Sequence, residues 1–197
     1  MQADSIDEGS SDDGSRILAA YVAQHGIDAE LINPGVAMPT VDRAAAALGV
    51  PPALVVKTIV FETKNSSHIG VAIVPGDVRV ARHKVAAALQ LKTLKLARPD
   101  VVKRATGYQV GGVPPIGHLE RLPTVVHRDV LRHERVFGGG GDEHHMLRVN
   151  PADIVTLTGA CIADVADVAD VADGAERSDV ANAANAADVT DSREGLA

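Results

Sequence analysis

Lys57 is the one cation in an otherwise apolar segment, and this setting points to a chemical role. The segment reads Val55-Val56-Lys57-Thr58-Ile59-Val60, which is typical of a strand buried on both faces. Burying an ammonium group without a partner is costly, so the head of Lys57 must reach a carboxylate, a ligand or water. We therefore expect a functional lysine on an inner strand. The alternative is an edge strand, whose lysine stem covers apolar surface while its ammonium reaches solvent.

A segment rich in glycine and proline is the second candidate for chemistry. It runs from Gly107 to His118 and holds four glycines and two prolines in 12 residues. Glycines allow close approach of the backbone to a ligand, and exposed N–H groups in such a loop can stabilise a carbonyl oxygen or an oxyanion. Composition alone is a weak signal, because most segments of this kind are turns.

Three other patterns resemble functional motifs without completing them. Residues 127–129 read His-Arg-Asp, as in a protein kinase, but no Asp-Phe-Gly follows and the chain is too short for that fold. The glycines Gly138–Gly141 are not a phosphate-binding loop, because Asp142 and Glu143 stand where Lys and Ser or Thr belong. Residues 142–145 lack the His-Glu-x-x-His spacing of a helical zinc site. We interpret them as an exposed hairpin tip and leave weak metal binding open.

Helix and strand signals predict the elements that must position these residues. Ser15 is the expected cap of a helix that ends at Gly26, Thr40 caps a second helix that ends at Gly49, and Asn150 caps the last one. Strands are predicted over 54–62, 68–74, 92–97, 124–127, 134–138 and 145–149, with further helices over 81–90 and after Pro99. This order lacks regular βαβ alternation, so we expect a mixed α/β (α+β) fold with a mostly antiparallel mixed sheet.

Composition narrows the class of protein. The chain has 197 residues, 46% of them apolar, with two Tyr, two Phe and no Trp, so the core must be aliphatic. Its single cysteine, Cys161, excludes an internal disulfide framework and suits a reducing compartment, and we expect it to be a buried core thiol. The N-terminus is acidic, unlike a secretory signal, and no apolar run approaches the ~20 residues that span a bilayer. We expect a cytoplasmic protein.

The net charge of −7 is distributed unevenly. Residues 1–15 carry five acidic side chains and no Lys or Arg, and residues 163–197 carry nine against two Arg and open with three copies of Ala-Asp-Val. The stretch 16–162 keeps 12 acidic and 17 basic side chains and all eight His. This pattern predicts one domain over 16–165 between acidic disordered arms, the second over 166–197. A basic body suits a polyanionic partner, and the arms alone are typical of solubilising tails.

Five segments occur together in an order that is specific as a set. They are Thr40-Val41 through Leu48-Gly49-Val50-Pro51, the strand start Val55-Val56-Lys57-Thr58, the loop Thr106-Gly107-Tyr108-x-x-Gly111-Gly112-x-Pro114-Pro115-x-Gly117-His118, the glycines Gly138–Gly141, and Asn150-Pro151-Ala152-Asp153-Ile154 with Thr158-Gly159-Ala160. In this order they resemble the YbaK/prolyl-tRNA synthetase-associated domain family, and the match covers residues 16–165.

The resemblance implies a fold, an activity and a site. Members of that family are aminoacyl-tRNA deacylases that clear mischarged tRNA, in several cases tRNA for proline carrying Cys or Ala. Their fold is a curved mixed sheet wrapped by helices, and their site uses no metal or other cofactor. By position, the implied catalytic residues are Lys57, Gly111 and Gly112, and the implied substrate-binding residues are Thr40, Thr58, Pro114, Pro115, Gly117, His118, Gly139 and Gly140. Many members have Ser where this chain has Pro114, and many lack Asp142-Glu143, so both departures bear on amino-acid specificity.

These implications predict hydrolysis, in trans, of the ester of a mischarged tRNA. Lys57 would hold the terminal phosphate or the carbonyl oxygen, and amides near Gly111-Gly112 would stabilise the tetrahedral intermediate while water attacks. The expected partners are tRNA and, as a second partner, an aminoacyl-tRNA synthetase, but not a membrane. A basic series would lie along the acceptor stem or form a solvated helix face: Arg79, Arg82, His83, Lys84, Lys92, Lys95, Arg98, Lys103 and Arg104. The alternatives are a non-catalytic module that binds aminoacyl-tRNA or a synthetase, and a metal hydrolase that uses the His-rich segment.

Overall fold

The computed structural model describes residues 13–64 and 67–167. Most of the two predicted acidic arms therefore lies outside the described residues. Where the first arm is described, Asp13–Ser15 already belong to a helix. The elements are α1 (Asp13–His25), β1 (Glu30–Ile32), α2 (Val41–Leu48), β2 (Val56–Thr63), β3 (Ile69–Pro75), α3 (Arg82–Ala88), β4 (Leu94–Leu96), α4 (Pro99–Thr106), β5 (Thr124–His127), β6 (Val136–Gly139), β7 (Met146–Val149), α5 (Pro151–Thr158) and β8 (Cys161–Ala163), with short 3-10 turns at Pro52–Leu54 and Arg128–Arg132.

The strands form two sheets. The larger sheet has the order β4-β2-β3-β5-β8, in which β2 pairs antiparallel with β3 and β4, while β5 pairs parallel with β3 and β8. The smaller sheet, β1-β7-β6, is antiparallel throughout and meets the larger one at a bridge between Val55 and Phe137. The predicted mixed α+β class is confirmed. β2 is an inner strand in the order of the larger sheet, but β4 pairs only with Phe61–Thr63, and at Lys57 the ladder partner is β3.

The core is aliphatic and covers both faces of the larger sheet. On one face, Val56 and Val60 of β2 pack with Leu18 of α1, Val101 of α4 and Ile154 of α5. On the other face, Phe61, Val74 and Val125 pack with Val85 of α3. The two faces alternate along β2 and β3, as expected for strands buried on both sides.

Helix ends follow the local sequence signals in two of three cases. The Thr40 side chain accepts a hydrogen bond from the Arg43 amide, Gly49 ends α2 at φ 65°, and the Asn150 side chain accepts from the Ala152 amide at 2.9 Å. The prediction for Ser15 is wrong, because α1 already includes Asp13 and Ser15 lies buried in its first turn. In the described ranges, no helix is both long enough and apolar enough to cross a membrane.

The prediction of a buried Cys161 is also wrong. Cys161 is exposed and lies on β8, the outermost strand of the larger sheet. An edge strand has a partner on one side only, so small and apolar neighbours along the chain do not by themselves bury a side chain there.

The burial of α1 gives a matched pair of substitutions. Leu18 is fully buried, whereas its neighbour Ile17 is 42% exposed. We expect Leu18→Ala to lower the free energy of unfolding by about 2–5 kcal/mol, because a cavity remains. Ile17→Ala should change it by no more than about 0.5 kcal/mol. Urea unfolding monitored by circular dichroism measures both values, and equal losses would contradict the packing of α1 on the core.

Candidate active site

The Lys57 ammonium is half-buried and bound to the main chain. Its Nζ donates a hydrogen bond to the Val78 carbonyl oxygen at 3.0 Å. Burial lowers the pKa of Lys57 below its ordinary value, and the nearby carboxylates of Asp77 and Asp42 oppose that shift. An ammonium has three N–H bonds, and in the described part of the chain Val78 accepts one of them. Two therefore remain for a ligand oxygen.

A close-packed turn brings Val78 to Lys57. The Gly76 amide donates to the Val55 oxygen at 2.6 Å, and a Cβ at Gly76 would lie 2.9 Å from the oxygens of both Pro52 and Val55. Only glycine fits this position, and the turn at 76–78 then places the Val78 oxygen beside β2. Thr40, a predicted substrate contact, lies at the start of α2, where its hydroxyl is used as the helix cap.

The predicted substrate loop packs against the late glycine run through main-chain contacts. The Gly141 amide donates to the Gly112 oxygen at 2.9 Å, and a Cβ at Gly112 would lie 2.6 Å from backbone atoms of Asp142. A Cβ at Gly139 would lie 2.5 Å from the Val113 oxygen, and the Gly140 amide donates to His145 at 2.9 Å. The structure therefore brings together the two glycine segments that the sequence places about 30 residues apart.

The same loop reaches β2 beside Lys57, but from the other face. A Cβ at Gly138 would lie 2.6 Å from Cδ of Pro115 and 3.3 Å from Cγ2 of Val56. Val56 precedes Lys57 directly, and consecutive strand residues project to opposite faces. The loop thus packs on the Val56 side, while the Lys57 ammonium lies at the 76–78 turn.

The two glycines predicted to supply oxyanion donors differ in their surroundings. The Gly112 amide donates to the Gln109 oxygen at 3.2 Å, so it closes a turn within the loop. Gly111 is exposed at φ +96°, with nothing within 4 Å of the position of a Cβ. The space on the Cβ side of Gly111 is therefore open, whereas the Gly112 amide is already used in a long hydrogen bond.

The far end of the loop is braced from within. His118 is largely buried and hydrogen-bonds through Nε2 to the Pro114 oxygen at 2.8 Å, while the Tyr108 hydroxyl donates to the Gly117 oxygen at 2.9 Å. Burial lowers the pKa of His118 despite that hydrogen bond, and burial raises the pKa of Tyr108 to about 12. Both side chains are therefore neutral at pH 7, and they fix the path of the loop from Pro114 to His118.

Thr58 contributes a buried hydroxyl on the side of β2 that faces the loop. It lies two residues after Val56 and thus projects from the same face. Among the described residues, its Oγ1 has no hydrogen-bond partner. A buried hydroxyl without a partner is unusual, so this geometry is compatible with the prediction of Thr58 as a substrate contact.

Asp142 is a structural organiser that the sequence did not predict. It is buried, and it accepts hydrogen bonds from the amides of His144 at 2.8 Å and His145 at 3.0 Å and from Nδ1 of His145. Burial alone would raise the pKa of Asp142, but hydrogen bonds from His145, His144 and Ser15 outweigh that effect and lower it. The signal in the sequence was an Asp that caps the amides two and three residues on.

The expected exposed hairpin tip at 142–145 is therefore wrong at Asp142. The start of α1 covers it, because Gly14 and Gly141 approach so closely that a Cβ on either would overlap the other backbone. Within residues 13–64 and 67–167, no three side chains of His, Cys, Asp or Glu come together as a metal site.

The close contact at Gly112 predicts an asymmetric response to alanine. We expect Gly112→Ala to lower the free energy of unfolding by about 1–3 kcal/mol, because the new Cβ collides with the backbone of Asp142. Gly111→Ala meets no neighbour and should cost only the roughly 1 kcal/mol of its positive φ. Chemical denaturation of both variants tests this, and a larger loss at Gly111 would contradict the contact.

The lowered pKa of Asp142 predicts a pH dependence of stability. A carboxyl whose folded pKa is depressed stabilises the fold above its unfolded pKa of about 3.9, and that stabilisation disappears as the pH falls through the folded value. Asp142→Asn should therefore lose about 1–3 kcal/mol at pH 7 and show a shallower loss below about pH 4. The exposed Glu120→Gln is the control. Parallel pH profiles for wild type and Asp142→Asn would refute the role of the charge.

Known proteins match most of this domain. Residues 36–157 match the family model described as an aminoacyl-tRNA editing domain. A proline–tRNA ligase of Desulforamulus reducens is 33% identical over 123 residues, which are 62% of this chain and 21% of the ligase. A protein of Enterococcus faecalis named as a candidate Cys-tRNA(Pro)/Cys-tRNA(Cys) deacylase is 24% identical over 124 residues, or 63% of this chain and 75% of that protein.

Solved structures match the same fold. One described as a candidate trans-editing enzyme for prolyl-tRNA synthetase superposes with a TM-score of 0.72 at 28% identity, and the match covers 79% of this chain and 98% of that one. The resemblance inferred from the ordered motifs is thereby confirmed. The family model spans Lys57, the glycine-rich loop and the late glycine run, and this chain belongs to the aminoacyl-tRNA editing domain family.

Proposed function

We propose that this chain is an aminoacyl-tRNA deacylase that hydrolyses the ester of mischarged tRNA in trans. The observation that carries the proposal is the half-buried Lys57 ammonium, which has N–H bonds left for a ligand, inside an editing domain of this family. The names of the Enterococcus relative and of the matched solved structure support the same reaction class.

The reaction needs positioning more than a protein nucleophile. Water adds to the ester carbon, and the carbonyl oxygen becomes an oxyanion. The bond between that carbon and the ribose oxygen then breaks, and the ribose oxygen takes up a proton. Lys57, which lies on the other face of β2 from the loop, binds the terminal phosphate through its unused N–H bonds. The Gly111 amide donates a hydrogen bond to the oxyanion. The Gly112 amide does the same once its hydrogen bond to the Gln109 oxygen breaks. The neighbouring 2′-hydroxyl of the substrate assists the attacking water.

The proposed substrate is a tRNA for proline charged with Cys or Ala. The name of the Enterococcus relative refers to Cys-tRNA(Pro), which supports this class. A pocket that selects by size distinguishes side chains by only about 1–3 kcal/mol per methylene group, so a separate editing reaction has a physical rationale. Pro114 is rigid and lacks an N–H, so here the loop offers an apolar wall where a hydroxyl would otherwise stand.

The basic series supports tRNA binding only in part. Lys95 and Arg98 lie 3.3 and 3.8 Å from the fully buried carboxylate of Glu62, so their charge is balanced within the fold. Lys84 hydrogen-bonds to the Ala166 oxygen. The remaining exposed cations of the series are the ones that we propose to face phosphates: Arg79, Arg82, His83, Lys92, Lys103 and Arg104.

Loss of the Lys57 ammonium should abolish turnover. We expect Lys57→Ala to reduce the rate of deacylation by about 100-fold or more, since the charged donor that positions the substrate is lost. Lys64→Ala removes an exposed lysine just beyond the same strand and should leave the rate unchanged. Release of labelled amino acid under excess substrate measures both rates. Full turnover in a folded Lys57→Ala protein would refute the assignment.

A panel of charged tRNAs separates an enzyme from a binding module. Cys-, Ala- and Pro-charged tRNA for proline are incubated with the protein, and we expect multiple turnovers with one of the first two and none with the correct charge. A non-catalytic module would instead protect the ester as its concentration rises.

Salt should weaken tRNA binding, because phosphate contacts release counterions. For several contacted phosphates, raising NaCl from about 50 to 200 mM should lower affinity by about tenfold or more. Filter binding measures this slope. A flat response would remove the basic series from the binding surface.

A further inference from the structure

The C-terminal Ala-Asp-Val repeat begins docked on the domain. In its first copy, Val165 is fully buried against Val74 and Val85, and the Asp164 carboxylate lies 3.2 Å from Nη2 of Arg128 and 3.9 Å from Nζ of Lys84. The first copy thus uses both of its larger side chains, the valine for apolar packing and the aspartate for pairing with cations.

The second copy follows the same surface as far as the structure describes it. Ala166 forms an antiparallel bridge with Val80, the Ala81 amide donates to the Val165 oxygen at 2.9 Å, and the Asp167 amide donates to the Arg79 oxygen at 2.8 Å. These bonds hold the chain beside the start of α3 as far as Asp167, the last described residue.

A basic groove adjoins Asp167. It is a cavity of about 670 Å³ between α3 and β4, and Asp167 forms part of its wall. Arg79 and Arg82 supply positive charge along it beside the imidazole of His83, and Leu91 and Leu94 supply apolar surface. Within the described ranges, none of those three basic side chains has a carboxylate within ion-pair distance. The groove therefore presents unbalanced charge and apolar surface side by side.

We propose that residues 168–173, the continuation of the repeat, occupy this groove and shield it from polyanions. They read Val-Ala-Asp-Val-Ala-Asp, which alternates small apolar side chains with carboxylates as the docked first copy does. Asp170 and Asp173 pair with the groove cations, and Val168 and Val171 cover the leucines. Because the segment is tethered at Asp167, its effective concentration at the groove is in the millimolar range, well above that of a free ligand. The inference does not depend on the proposed deacylase reaction.

Matched substitutions in the full chain test this occupant. The variant Asp170→Ser/Val171→Ser/Asp173→Ser removes both acids of the segment and one of its valines. The variant Asp188→Ser/Val189→Ser/Asp191→Ser makes the same change at the same spacing further along. Every protein compared also carries Ala87→Cys, which places a thiol in the groove wall, and Cys161→Ser, which removes the natural thiol. Position 87 then holds the single thiol of the chain. N-ethylmaleimide, which is uncharged, measures how accessible that thiol is.

We expect the variant at 170–173 to speed alkylation at position 87 by about fivefold or more, relative to the chain with only the two thiol substitutions. A fivefold increase corresponds to roughly 80% occupancy of the groove when the repeat is intact. The distal variant should change the rate less than about twofold, and both rates should be independent of protein concentration. Equal rates in the two variants would overturn the proposal. A concentration-dependent rate would also overturn it, because the occupant would then be a second copy.

Binding of inorganic polyphosphate gives a second readout that needs no reporter thiol. At about 50 mM NaCl, the repeat variant should bind polyphosphate about tenfold more tightly than the parent chain, because the groove cations are uncovered. The variant at 188–191 has the same net charge as the variant at 170–173. Its gain in affinity for polyphosphate should be less than half as large on a logarithmic scale. Equal gains in affinity for the two variants would mean that net charge alone controls polyphosphate binding. That result would contradict the docking of residues 168–173.

Discussion

The absence of side chains at a few glycines is the constraint on which the site depends. Gly112 and Gly139 each lie where a Cβ would meet backbone atoms at 2.6 Å or less, so the loop and the late glycine run touch main chain to main chain. At such a separation, any side chain would force the two segments apart. Gly14 of α1 closes on Gly141 in the same way. Three parts of the chain that are distant in sequence are thus fixed relative to one another, and the small sheet holds the loop against β2.

This constraint divides the site between the two faces of one strand. Gly138 lies between Val56 and Pro115 of the loop on one face, whereas Lys57 projects to the other face and meets the Val78 oxygen. Burial lowers the pKa of Lys57, and the carboxylates of Asp77 and Asp42 oppose that shift. A substrate that contacts both faces must therefore cross the start of β2, where the two sheets meet at the bridge of Val55 with Phe137.

The features that the sequence predicted are those set by local signals. The caps Thr40 and Asn150, the Gly49 stop and the β6–β7 hairpin depend on residues within a few positions of one another, and all are present. The errors involve partners far along the chain: Ser15 meets Asp142, and Cys161 lies on an edge whose exposure depends on strand order. The carbonyl that Lys57 binds is 21 residues away, and no periodicity or spacing specifies such a partner.

The positive charge of the body is divided between folding and binding. Lys95 and Arg98 balance the buried Glu62, and Lys84 and Arg128 hold Asp164, so these four cations stabilise the domain and its first repeat copy. The exposed charge left over includes Arg79 and Arg82, which line the groove where the chain leaves the described domain at Asp167. In the docking that we propose for residues 168–173, a polyanion must displace their carboxylates before it gains its own contacts with this surface. Salt weakens the contacts of these cations with the carboxylates of the chain as well as their contacts with phosphates. The affinity of the full chain should therefore fall less steeply with salt than expected from the number of contacted phosphates alone.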